Sequence, residues 1–274
     1  MPRARAGVGV ALAGLLAGAA VAHQGVDAFY RPALPSGAPT SSSGSSAIEW
    51  ARALPSEGMR PDPVDFSSDE LRELNRRFGV HGPQPPLAQL FTAGIDSLQP
   101  LRSHTLGRLE ELQPVILSEA RRQGVNPMLL TAVLFDELQH AKPGENTPLA
   151  ANSGLFHTHG PAQLSVSELV KQGLLPAEAS PDQLEAARLE LLDPDRSVTL
   201  LASKFVRLSK DLHLHPRRLL MASASPHDAK ALATLAYLHN GKLDYPARIL
   251  RYMQDPELHA LIYGSRRHIV SPLI

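Results

Sequence analysis

Helical spacing dominates the pattern of apolar and polar positions along this chain. In SDELRELNRRF, Leu71, Leu74 and Phe78 recur at intervals of three and four, and Ser67 stands three residues before Glu70, where a hydroxyl and a carboxylate can cap each other's backbone amides. Asn126-Pro127 puts a capping side chain ahead of a proline at the first helical position, and Met128 to His140 follows without a breaker. Within that run Leu130, Val133, Leu134 and Leu138 fall at i, i+3, i+4 and i+8, the spacing of a buried stripe. Ser165 with Glu168, and Ser180-Pro181 with Gln183, repeat the start signal. Asp193-Pro194 opens a helix to about Leu212, and Ser225-Pro226 opens another to about Tyr237. One segment departs from the pattern. Ala141 to Gly160 reads AKPGENTPLAANSGLFHTHG, and its Gly, Pro, Asn and Ser predict a long loop or a small, poorly formed strand region. Irregular stretches of this kind inside compact domains are often functional.

Composition agrees with a mainly α fold. Aromatic residues make up 5% of the 274 residues, so the core must be built from Leu and Ala, which favour helices over strands. The 27 Lys and Arg balance the 27 Asp and Glu, which argues against a nucleic-acid partner and against a polybasic membrane anchor. With no cysteine there is no disulfide framework, thiolate metal site or thiol nucleophile. Near the start, Arg3 and Arg5 precede an uncharged apolar stretch from Gly7 to Gly18, and Ala20-Val21-Ala22 has the small-x-small form of a cleavage site. We expect a signal peptide over residues 1–22, since the apolar run is shorter than the roughly 20 residues of a bilayer span. Export to the periplasm, the cell envelope or the extracellular space follows from it. Arg31 to Ser46, RPALPSGAPTSSSGSS, has almost nothing to bury, and Leu54 to Asp65 continues its Pro-rich character. Residues 23–65 are therefore expected to be a flexible linker, and 66–274 a single helical domain.

Glu137 is the acidic residue that calls for an explanation. It lies beside the apolar stripe of its helix rather than opposite it, so its carboxyl is expected to be desolvated and its pKa raised, the condition for a general acid at neutral pH. A solvated Glu on the helix edge fits the same spacing. Glycoside cleavage normally uses two carboxyl groups. Asp136 points about 100° away from Glu137 and is a poor partner; Glu145 lies in the loop and can approach, though nothing in the spacing demands it. Glu137 and His140 form Glu-x-x-His, but the second copy a di-iron bundle needs is absent from the sequence. His157-Thr158-His159 is either a pair of metal ligands on one strand face or, more simply, solvated loop residues. The sequence holds no His-Glu-x-x-His, no Gly-x-Ser-x-Gly and no phosphate-cradling glycine loop, and Arg266 and Arg267 read as solvated charge. No cofactor and no metal are expected.

The order of four phrases resembles the lytic transglycosylase group of the lysozyme-like superfamily. Gly124-Val125-Asn126-Pro127 leads an apolar helix to Glu137; Gly160-Pro161-Ala162-Gln163 matches Gly-x-x-Gln; LLDPDRSVTLLASKF matches an Asp-Pro helix start; and ATLAYLHNG, Ala233 to Gly241, matches a helix ending in a Tyr-Asn-Gly-like phrase. The resemblance implies a lysozyme-like helical domain, α+β with a minimal strand region, whose partner is the glycan strand of peptidoglycan. It implies that Glu137 protonates the glycosidic oxygen and then takes the proton of the sugar's 6-hydroxyl, leaving a 1,6-anhydromuramic end. Gln163 would hydrogen-bond substrate near that bond, and Tyr237 or Asn240 would orient Glu137 or an N-acetyl group. The chain departs from the group in having Leu138 where Ser usually follows the acid, a longer loop containing His157 and His159, and His239 where Tyr would precede Asn240. Those departures motivate an alternative, a module of the same fold that holds glycan without turnover. A helical adaptor with no sugar site is a third possibility.

Overall fold

The computed structural model describes residues 62–79, 98–142, 144–215 and 226–264. The expected signal peptide, the linker up to residue 61, Ser225, Arg266 and Arg267 lie outside the described residues. Helices and a two-stranded hairpin make up the described architecture: α1 Ser68–Phe78, α2 Gln99–Gln123, α3 Pro127–Gln139, α4 Pro148–Asn152, β1 Thr158–His159, β2 Leu164–Ser165, α5 Val166–Lys171, α6 Pro181–Leu192, α7 Pro194–Asp211, α8 Pro226–Asn240, α9 Tyr245–Tyr252 and α10 Pro256–Tyr263. The protein is mainly helical, with a minimal sheet. Among the described residues, no helix is long and apolar enough to cross a membrane.

Local capping chemistry explains most of the helix starts. Ser67 and Glu70 form the reciprocal box at the head of α1, and Ser180 and Gln183 do the same for α6. The Asn126 carboxamide accepts from the amides of Met128 and Leu129, and Asp193 accepts from Arg196 at the start of α7. Ser165 behaves differently. It stands at the N-cap of α5 without capping it, because its hydroxyl pairs with Ser167 at 2.7 Å and Glu168 is drawn to the Arg207 guanidinium at 2.7 and 2.9 Å. A tertiary ion pair outcompetes the local box there. Helix α8 runs on past Tyr237 to Asn240, and ends where Gly241 takes φ 79° and returns its N–H to the Tyr237 carbonyl.

Helix α3 is the central element, packed by α2, α7, α9 and α10. Eleven of its residues are buried, among them Leu129, Leu130, Val133, Leu134 and Phe135. The long α2 was not foreshadowed by caps: Leu98 offers no side-chain cap, and Pro114 sits inside the helix. Burial of Leu109, Leu112, Ile116 and Ala120, together with packing against α3 and α7, offsets the hydrogen bond that the proline removes. The irregular segment after α3 contains the five-residue helix α4, and then reaches the hairpin. There Thr158 pairs with Ser165 and His159 with Leu164, antiparallel.

Candidate active site

Of three polar residues near the end of α3, Asp136 and Gln139 share a face and Glu137 departs from it. Asp136 is buried and accepts from the Arg248 guanidinium, one contact being Nη2 to Oδ2 at 3.2 Å, while His140 Nδ1 lies 3.5 Å from its other oxygen. Burial alone would raise the Asp136 pKa, but the His140 hydrogen bond and the Arg248 charge hold it below the usual carboxylate range. Gln139, also buried, accepts from the Thr105 hydroxyl at 2.7 Å. Glu137, between them in sequence, is turned elsewhere, with its side chain 12% exposed. A helix separates neighbours by about 100°, so Asp136 is buried against Arg248 of α9 while Glu137 reaches the edge of that packing.

Two polar groups converge on one oxygen of Glu137. The Tyr245 hydroxyl donates to Oε1 at 2.8 Å, and His239 Nε2 stands 3.2 Å from the same atom. Burial, reinforced by the Glu137 and Asp136 charges, pushes the Tyr245 phenol well above its ordinary range, so it stays a donor. Arg248, three residues after Tyr245 on α9, lays its guanidinium 5.3 Å from the Tyr245 ring while binding Asp136. The adjacent acid thus anchors the helix that delivers the phenol. Behind His239 lies Lys204 of α7, with Nζ 3.2 Å from His239 Nδ1 and 3.1 Å from the His239 carbonyl. Lys204 is half-buried, and desolvation of its amine pushes its pKa down to about 8. Burial and the neighbouring Lys204 charge also lower the pKa of His239, leaving its imidazole neutral at pH 7.

The loop and hairpin bring a second carboxyl to the site. Glu145 is 5% exposed, and its Oε1 accepts from Gln163 Nε2 at 2.9 Å. Burial first, and the charge of Glu137 in addition, push its pKa up to about 7. The Gln163 carboxamide also donates to the Gly160 carbonyl at 3.2 Å and accepts from the Thr158 hydroxyl at 2.6 Å. Its two amide protons are thereby committed, one to Glu145 of the loop and one within the hairpin, and one carbonyl lone pair remains for a ligand. The turn itself tolerates little change. A Cβ on Gly160, at φ +75°, would meet the Leu191 carbonyl oxygen at 1.8 Å, and Gln163 adopts φ 45°, rare for a residue with a side chain. Asn146 accepts from the Gly160 amide at 2.9 Å, and Ser197 from the Ala162 amide at 3.1 Å.

Of the residues singled out in the sequence, Glu137 and Gln163 are both partly enclosed, and Glu145 couples them by binding one and feeling the charge of the other. Tyr237 packs its ring on Phe66, with centroids 5.4 Å apart. Two residues along a helix amount to about 200°, so with His239 on Glu137 the Tyr237 side chain leaves the opposite side of α8. Asn240, the last residue of that helix, is exposed. The orienting contacts expected of Tyr237 or Asn240 toward Glu137 are made by Tyr245 and His239. His157 is exposed and His159 buried, so the two do not present to one face, and no group of three or more metal-ligating side chains lies together among the described residues. Leu138, where the resemblance leads one to expect Ser, is buried. Comparison with known proteins finds no match to this chain among family models, curated proteins or solved structures.

Proposed function

We propose that the chain is a peptidoglycan-cleaving, lytic transglycosylase-like enzyme that breaks the MurNAc-GlcNAc bond with Glu137 as its acid and base. The observation that carries this reading is the setting of Glu137: a carboxyl 12% exposed, held through one oxygen by Tyr245 and His239, with no cation bonded directly to it among the contacts described. Such contacts position the carboxyl without pairing it to a permanent cation, which suits a group that must both give and take a proton. In the reaction Glu137 protonates the glycosidic oxygen as the bond from that oxygen to C1 breaks. Its carboxylate then takes the proton of the 6-hydroxyl, whose oxygen bonds to C1, so an internal ether replaces the glycosidic link and no water is consumed. Partner and location follow as part of the proposal: glycan strands of the cell wall, met in the periplasm, the cell envelope or outside the cell.

Glu145 favours a second reading of the product. A carboxyl that titrates near 7 beside another carboxylate is able to take a proton from water, and if that oxygen bonds to C1 instead, the result is hydrolysis and a reducing muramic end. Digestion of purified sacculi decides among these outcomes. The wild-type protein is expected to clear them and release anhydromuropeptides detectable by mass spectrometry, and Glu137→Gln to do neither. Label from 18O water in the new ends would assign hydrolysis. Binding to sacculi without clearing by either protein would leave a glycan-holding module of the same architecture.

A further inference from the structure

The buried amine of Lys204 is used by none of the chemistry above, yet it terminates a chain of polar contacts that begins at Glu137. Its ammonium has only donors to offer, and it faces His239 Nδ1 at 3.2 Å and the His239 carbonyl at 3.1 Å. A ring nitrogen that meets an ammonium must be the bare one. The ring proton therefore sits on Nε2, directed at Glu137 Oε1 3.2 Å away, where the Tyr245 hydroxyl also donates. We propose that Lys204 and His239 are positioning residues that, with Tyr245, saturate Oε1 of Glu137 and so assign the transferable proton to Oε2. This inference rests on the reading of Glu137 as the acid.

Loss of the ammonium proton reverses the chain. A neutral amine carries a lone pair and accepts from Nδ1–H; the imidazole then shifts tautomer, and its bare Nε2 confronts Oε1 or takes the proton of the acid. In the first case the acid's proton is drawn to Oε1 and in the second it passes to the imidazole, so in neither does Oε2 present it to substrate. The groups that act on this switch come from several elements. Lys204 is influenced by Glu168 and Lys171 of α5, by Arg207 on its own helix and by Glu137, while His239 is influenced by Glu137 and Glu168. Tyr245 of α9 donates to the same Glu137 oxygen, and Glu145 of the loop is coupled to Glu137 by charge. Of these, Glu168 is tied to Arg207 as an ion pair, and the Tyr245 phenol ionises far above neutrality. Since burial brings the amine to about 8, it is the group of this chain that changes charge on the alkaline side.

The test is the tautomer of His239 followed by 15N NMR of the imidazoles in the full chain, its signals assigned by comparison with His239→Gln. In the wild type, Nε2 is expected to carry the proton at pH 6.5 and Nδ1 at pH 9.5, with a midpoint near 8; sacculus clearing should fall over the same interval. Lys204→Met is expected to abolish that transition and to lower the clearing rate several-fold at pH 7. Lys204→Arg, which keeps a donor that does not titrate in this range, is expected to hold the Nε2–H form beyond pH 9.5, and it serves if the Met variant fails to fold. Protonation of Nδ1 at pH 6.5, or the same tautomer course in wild type and Lys204→Arg, would overturn the proposal. Clearing by Glu137→Gln at the wild-type rate would instead sink the enzyme reading, which the NMR result does not depend on.

Discussion

Asp136 and Glu137 are consecutive residues on one helix, and their surroundings differ in kind. Asp136 is matched by an arginine, a permanent cation, with His140 alongside, and is buried between α3 and α9. Glu137 is met by a phenol and a neutral imidazole, and the nearest cation in its contact chain, Lys204, is separated from it by that imidazole. A carboxylate paired with Arg is kept ionised and serves as a rivet. Glu137 is instead placed by groups that carry no permanent charge. The contrast shows that the role of an acid on a helix is set by the partners that neighbouring helices bring to it.

Breaking the Asp136 side is expected to have the largest effect on folding. Arg248→Met strands a buried carboxylate and should cost about 3–5 kcal/mol, measured as a fall in denaturant midpoint, because an unpaired interior charge is penalised far beyond the lost pair energy. It should lower activity as well, since α9 would no longer hold Tyr245 in place. Glu137→Gln inverts that result: clearing of sacculi is lost while stability changes by under about 1 kcal/mol, because the amide oxygen still accepts from Tyr245. A smaller effect is expected of Tyr245→Phe, which keeps the ring and removes one donor to the acid. Its kcat should fall on the order of tenfold to a hundredfold, with KM little changed.

A separate effect concerns pH and the second carboxyl. Glu145 has its folded pKa raised from 4.5 to about 7, so between those values the unfolded chain releases a proton that the folded one retains. Its contribution to stability is therefore full below about 4.5 and declines as pH rises toward 7. Thermal melts of wild type and Glu145→Gln across pH 4 to 8 should show the wild type losing ground relative to the variant as pH rises. A difference that is constant with pH would mean that Glu145 is not held neutral by the fold.

Legibility in the sequence followed the range of the interactions. The caps of α1, α3, α6 and α7 are contacts between residues two or three apart, and those starts were readable at once. Glu137 was readable as an acid beside an apolar stripe, and the Gly160 turn as part of a glycine-bearing phrase. Helix α2 was not, since packing rather than a cap or a clean stripe sustains it through Pro114. Nor was Tyr245: it lies 108 residues from Glu137, and its only local hint is Arg248 one turn further on, spaced to bind the acid next to the one that Tyr245 reaches.

By itself, then, the sequence determined a mainly helical chain, the places where most of its helices begin, and the acid that its most buried helix carries to the edge of the core. Those properties come from backbone amides seeking nearby acceptors and from apolar residues seeking one face, and both are decided within a few turns. Only the tertiary structure decided that Asp136 would meet a guanidinium and Glu137 a phenol and an imidazole, that Gln163 would hold Glu145, and that an enclosed amine would stand behind His239. These partners arrive from helices far apart in sequence, and a rotation of one such helix by a single residue, about 100°, would present a different side chain altogether.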